Sequence, residues 1–145
     1  MKIAIACDHH GVDVKQKLTE YLESIGYDVI NCGTDNNEMV DYPDYAFEVG
    51  KKVVEKEADY GILICNTGIG MSIAANKVKG VRCARVMDTY DAKMTRRDND
   101  ANVVALSARI DIEKLKEILD TFLNTKFENI DRYKRRLEKI DNYEH

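Results

Sequence analysis

Short apolar runs alternate along the chain with longer stretches in which apolar residues recur every three or four positions. The runs at 3–7 (IAIAC), 27–31 (YDVIN), 61–65 (GILIC), 81–86 (VRCARV) and 103–106 (VVAL) are rich in β-formers and predict strands. Between them the spacing is helical. Val14, Leu18, Tyr21, Leu22 and Ile25 share one face over 12–25, and Gly26 suits the position after a helix end. Asp41-Tyr42-Pro43-Asp44 opens the next helix, with Pro43 fitting the first helical position and Tyr45, Val49 and Val53 lining its inner face. A third helix is predicted over 71–78. Asp88 reads as the N-cap of a fourth, reaching about Arg97, and Asp111 as the cap of a fifth with Leu115, Ile118, Leu119, Phe122 and Leu123 inward. A last basic helix covers roughly 130–143, with a narrow stripe of Ile130, Tyr133, Leu137 and Ile140 that suits a partner subunit as well as its own chain. Strands alternating with helices predict an α/β, three-layer Rossmann-like fold: a five-stranded parallel sheet, helices on both faces, and a C-terminal helix. Nothing marks a boundary or a repeat, so residues 1–145 are expected to form a single domain.

Composition narrows the function. A net charge of −4 argues against a partner that is nucleic acid or an anionic membrane. No apolar run approaches 18 residues, and the chain starts directly on a strand pattern, so a cytoplasmic protein is expected. Its four cysteines, Cys7, Cys32, Cys65 and Cys83, have no C-x-x-C or zinc spacing and read as reduced thiols.

The chemistry concentrates in residues 60–76, YGILICNTGIGMSIAAN. A buried strand ends at Cys65, a turn containing Gly68 and Gly70 follows, and a helix begins. Such a turn leaves backbone N–H groups facing outward, which suits an anion or a developing oxyanion. In open α/β sheets, ligands bind at the carboxyl ends of strands. A thiol near a helix start can lose its proton more easily than a free one. Cys65 is therefore a candidate base or nucleophile, although a lone cysteine there is more often a small buried hydrophobe. The stretch is no P-loop, since Gly-Lys-Ser/Thr is absent. Ile73 spoils a dinucleotide fingerprint, although Asp88 lies 20 positions beyond Gly68, near where that fingerprint wants an acid. Asp8-His9-His10 ends the first strand and is expected on the same edge, with the helix after strand four close by. Arg132 and Arg136, four apart on the last helix, form either a solvated face or a phosphate clamp.

Together these residues resemble the ribose-5-phosphate isomerase type B and galactose-6-phosphate isomerase family. The resemblance spans 1 to about 140 and rests on Cys7-Asp8-His9, on VDYPD at 40–44, on ICNTGIGMSIAANK at 64–77, on NDANV at 99–103, and on the Arg132/Arg136 pair. It implies an aldose–ketose isomerase that moves a proton between C1 and C2 of a phosphosugar through a cis-enediolate, with no metal and no organic cofactor. Carried over, Cys65 is the base, and Thr67 and Asp8 contact sugar hydroxyls. Backbone N–H groups of residues 66–70 (Asn66, Thr67, Gly68, Ile69, Gly70) hold the enediolate oxygen. Tyr42 and Asn99 contact substrate, and His9, Arg109, Arg132 and Arg136 bind phosphate. It also implies a homodimer or tetramer with active sites shared between subunits. Three positions depart from the family. Asn66 stands in place of Gly, Tyr133 in place of His, and Asp98 in place of the His that opens the furanose ring in the ribose branch. An ordinary Asp98 is ionised at neutral pH and accepts a proton better than it donates one. Substrates already open-chain, such as tetrose phosphates, are then expected to be favoured over cyclic ribose 5-phosphate, unless burial makes Asp98 an acid or His10 reaches the ring oxygen.

Overall fold

A computed structural model describes residues 1–143. Five strands, β1 (Lys2–Cys7), β2 (Asp28–Asn31), β3 (Tyr60–Cys65), β4 (Cys83–Arg85) and β5 (Val103–Ser107), alternate with α1 (Val12–Ser24), α2 (Tyr42–Val54), α3 (Ile69–Ala75), α4 (Thr89–Asn99) and α5 (Ile112–Asn124), and α6 (Asp131–Asp141) closes the chain. The sheet order is β2-β1-β3-β5-β4, and every pairing is parallel. This is the α/β architecture that the alternation of apolar runs predicts.

Side chains of successive strand residues point to opposite faces, so each strand feeds two cores. Ile3, Ile5, Ile62, Ile64, Val104 and Leu106 pack with Leu18 and Leu22 of α1, Ala92 of α4, and Leu115, Ile118, Leu119 and Phe122 of α5. Ala4, Ala6, Leu63, Cys65, Val103 and Ala105 pack with Val49 and Val53 of α2 and Met71 and Ala75 of α3. The second face carries smaller strand residues, which brings α2 and α3 close to the sheet. At Gly61, a Cβ would stand only 2.5 Å from Val49 Cγ1.

Several boundaries differ from the sequence pattern. Pro43 is the second helical residue, not the first, because Tyr42 already lies in α2. Helix α3 begins at Ile69 and ends at Ala75, short of Val78, and β4 starts at Cys83 rather than Val81. One side chain accounts for both of the last two. Asn76 donates to the Ser72 and Cys83 carbonyls (both 2.9 Å) and accepts from the Cys83 N–H (2.8 Å), so it ends the helix and occupies the strand edge. The Asp88 and Asp111 caps are present, accepting from Asp91 N–H and Glu113 N–H.

Helix α6 leans on α4. Leu137 is buried and Tyr133 half-buried, whereas Ile140 is 55% exposed, so the apolar stripe is covered only in part. Arg82 bridges to Asp141 near the helix end (3.1 Å). No helix among the described residues is long and apolar enough to cross a membrane.

Replacing Gly61 with Ala tests the close approach of α2 to β3. The added methyl should cost about 1–3 kcal/mol through overpacking. Chemical denaturation measures it, and an unshifted midpoint would mean that α2 stands off the sheet.

Candidate active site

β1 and β3 are neighbours, and α1 and α3, which follow them, lie on opposite faces. That reversal opens a crevice at the carboxyl ends of the two strands, the position where doubly wound sheets hold ligands. Two loops line it. Asp8 is tied across the crevice, its N–H donating to the Ile64 carbonyl at 3.1 Å. Asp8 is buried, and its carboxylate serves residue 10 twice: Oδ1 accepts from His10 N–H (2.9 Å), and Oδ2 lies 3.3 Å from His10 Nδ1. His9 Nδ1 accepts from Val40 N–H at 3.3 Å. A neutral His9 therefore carries its proton on Nε2, which makes that nitrogen a donor suited to an anion.

On the β3 side, Cys65 is buried and its Sγ accepts from Gly68 N–H at 3.1 Å. Gly68 has φ +79°, and a Cβ on it would meet the backbone of Leu106 at 3.0–3.3 Å. Only glycine satisfies both conditions without strain. Ile69 N–H donates to Thr67 Oγ1 (3.2 Å). The Gly68 and Ile69 amides are thus engaged inside the loop. Those of Asn66, Thr67 and Gly70 have no acceptor among the described residues. The oxyanion donors expected over 66–70 narrow to these three. Asn66 is exposed and has no left-handed backbone, so the loop accepts a side chain where glycine was expected. The Tyr42 ring lies against Gly70, where a Cβ would approach it to 2.7 Å.

Two supporting residues carry no sequence signal. Ser107, 4% exposed at the end of β5, donates to the Asn66 carbonyl (2.7 Å) and accepts from Arg109 N–H (3.1 Å). Arg85, at the end of β4, donates from Nε to the Thr67 carbonyl (2.9 Å). A single Ser or Arg after a strand has no motif, and only the tertiary pairing gives it a role.

The other cysteines are inert by environment. Burial pushes Cys7 and Cys32 up to about 11 and Cys83 to about 12, so all three stay protonated thiols. Asp8, His9 and His10 bring ligand-type atoms within 4.8 Å of one another. Their hydrogen bonds to each other and to Val40 account for the cluster without a metal.

The remaining expected residues lie elsewhere. Helix α4 starts at the carboxyl edge, and its 11 residues carry the chain back about 16 Å. Asp98 and Asn99 therefore sit at the amino edge, where the Asn99 carbonyl accepts from Arg82 Nε just ahead of β4 (3.0 Å). The helix after strand four thus meets the carboxyl edge only at its start. Arg97 donates to Asp98 Oδ1 at 2.7 Å, and this bond, with the Arg97 charge and help from Tyr133 and Arg132, holds the Asp98 carboxyl below its ordinary range against the opposing effect of burial. Burial does not make Asp98 an acid; it remains a carboxylate. Arg132 stacks over Tyr133 (4.9 Å), and neither Arg132 nor Arg136 forms an ion pair among the described residues. A groove of about 720 Å³ also lies on this side, between β4, α4 and α6, and is bordered by Cys83, Thr95, Asn99, Leu137 and Ile140. One chain thus places Asp8, His9, Tyr42, Cys65, Thr67, Gly68, Gly70 and Arg109 at one edge, and Asp98, Asn99, Arg132 and Arg136 away from it.

A family model described as Ribose/Galactose Isomerase matches residues 3–140. The Bacillus subtilis (strain 168) protein YwlF, provisionally named a sugar phosphate isomerase, is 49% identical over 99% of this chain and 97% of its own. The structure of Clostridium thermocellum ribose-5-phosphate isomerase B superposes with a TM-score of 0.95, at 44% identity over 97% of this chain and 95% of that one. The Mycoplasma genitalium ribose-5-phosphate isomerase B structure, solved with bound ribulose-5-phosphate, gives 0.93 at 41% identity over 98% and 95%. With its fold, its glycine turn behind Cys65 and the match along nearly its whole length, this chain belongs to the ribose/galactose isomerase family and is a sugar-phosphate isomerase.

Proposed function

We propose that this enzyme interconverts ribose 5-phosphate and ribulose 5-phosphate by proton transfer between C1 and C2 through a cis-enediolate, without a cofactor. The observation that carries the mechanism is the placement of Cys65 Sγ, fixed by Gly68 N–H beside the free amides of Asn66, Thr67 and Gly70. The thiolate takes the proton from C2 of the open aldose. Negative charge then develops on the carbonyl oxygen, where fixed N–H donors stabilise it more than they stabilise the ground state. The same sulfur returns the proton to C1. Thr67 Oγ1 and the Asp8 carboxylate meet sugar hydroxyls, with Tyr42 and Ile69 closing the wall. His9 Nε2–H and Arg109 approach the phosphate from this edge.

Asn99, Arg132 and Arg136 come to the site from a second copy of the chain. Within one copy, helix α4 and the strand length separate them from Cys65, and their free guanidinium groups suit a phosphate. A two-fold pair supplies each edge to the other. The enzyme works in the cytoplasm, where its thiols stay reduced. A second reading is isomerisation of another aldose phosphate, a tetrose or hexose. The ionised Asp98 favours it, since a group held as a carboxylate gives no proton to a ring oxygen. A non-catalytic sugar-phosphate binding module would need neither Cys65 nor the free amides behind it.

Cys65→Ala should lose at least about 10²–10⁴-fold in turnover. It should still be stabilised by inorganic phosphate in a thermal-shift assay. An alanine variant with near-native turnover would remove Cys65 as the base.

Mixing two inactive variants tests the shared site. Cys65→Ala and the double variant Arg132→Ala/Arg136→Ala, unfolded and refolded together at equal amounts, should regain about one quarter of native activity, because half the pairs are mixed and each holds one intact site. No regain in mixed pairs, shown by differential tagging, would place the arginines outside a shared site.

A further inference from the structure

Proton abstraction at C2 needs an open-chain aldehyde, whereas an aldopentose 5-phosphate closes through its C4 hydroxyl into a furanose. Opening that ring takes a proton from O1–H, forms the C1=O1 bond, breaks C1–O4 with its electron pair going to O4, and puts a proton on O4. One group must accept a proton and then give one up. Asp98 is held as a carboxylate by Arg97. His9 is committed as well, because Val40 N–H occupies Nδ1 and leaves Nε2 only as a donor in the neutral ring.

His10 has the opposite arrangement. The Asp8 carboxylate is buried, on a residue whose backbone N–H is anchored to the Ile64 carbonyl of β3, and faces His10 Nδ1 at 3.3 Å. A carboxylate only accepts, so the neutral ring carries its proton on Nδ1 and presents a lone pair on Nε2. The second Asp8 oxygen holds the His10 backbone N–H at 2.9 Å, which fixes the residue as well as the ring. The carboxylate is 8% exposed and the imidazole 50%, so a buried acid orients a base that ligand can reach. The ring lies 4.2 Å from that of His9, beside the expected phosphate position. A simple turn residue would use the backbone bond alone and would need no imidazole.

We propose that His10, oriented by Asp8, opens the sugar ring. Nε2 accepts the O1–H proton and delivers it to O4 as C1–O4 breaks; both oxygens are bonded to C1, and no net proton is exchanged. The proposal rests on the isomerase reading above. It assigns to residue 10 of this chain a step separate from the C1–C2 transfer at Cys65.

The test compares ribose 5-phosphate with erythrose 4-phosphate, whose C4 oxygen carries the phosphate and cannot form a furanose. Native enzyme, His10→Gln and His10→Ala are assayed on both, with melting temperatures to show that each variant is folded. The ratio of kcat/KM for ribose 5-phosphate to that for erythrose 4-phosphate should fall about tenfold or more in either folded variant. An unchanged ratio, whether both activities persist or both fall together, overturns the role of His10 and leaves the isomerase intact. Native enzyme inactive on both sugars, but active on a hexose phosphate, overturns the pentose reading instead, and with it this step.

Discussion

The candidate active site depends on the backbone of Gly68. Its left-handed φ of +79° turns the chain out of β3 and sends the N–H back to Cys65 Sγ, while its missing side chain lets the loop lie on the backbone of Leu106. Any Cβ would combine an unfavourable dihedral with a clash against main chain that cannot rotate away. Everything around the turn then holds it still. Ser107 grips the Asn66 carbonyl from β5, Arg85 grips the Thr67 carbonyl from β4, and Tyr42 of α2 lies over Gly70. Donors fixed before substrate arrives do not have to reorganise when charge develops, so this rigidity suits the proposed proton transfer.

The second constraint is the length of α4. A helix of 11 residues returns the chain from one edge of the sheet to the other, so the residues after Arg97 cannot join Cys65 in the same copy. The proton-transfer group and the unpaired guanidinium groups are thus divided between two edges. In the proposed two-fold pair, each edge would complete the other copy's site. The partly uncovered stripe on α6 and the groove beside β4 lie on the side that carries the arginines.

Much of this was legible in the sequence. The strands announced themselves because each is a short apolar run between polar positions, and the place of Cys65 before a glycine turn was equally plain. Boundaries set by one side chain were not legible: Asn76 stops α3 and occupies the start of β4, and nothing local distinguishes it from any asparagine. The tautomer of His9 was hidden because its partner, Val40, is 31 residues away. That Asp98 ends a helix was legible; how far α4 carries it from Cys65 shows only once the helix is laid against the sheet. Its ionised state was expected of an ordinary carboxyl, but the contacts from Arg97 and Tyr133 that reinforce it were not legible.

The central claim is that one protein base carries the substrate's proton between C1 and C2. Isomerisation run in deuterium oxide, with the sugar read by NMR at low conversion, tests it directly. A base that exchanges with solvent between its two steps should leave deuterium at the newly formed C–H bond, and ketose carried to equilibrium should gain it fully. Complete retention of the substrate's own hydrogen at that position, at low conversion and at equilibrium alike, would indicate a direct hydride shift and contradict the account.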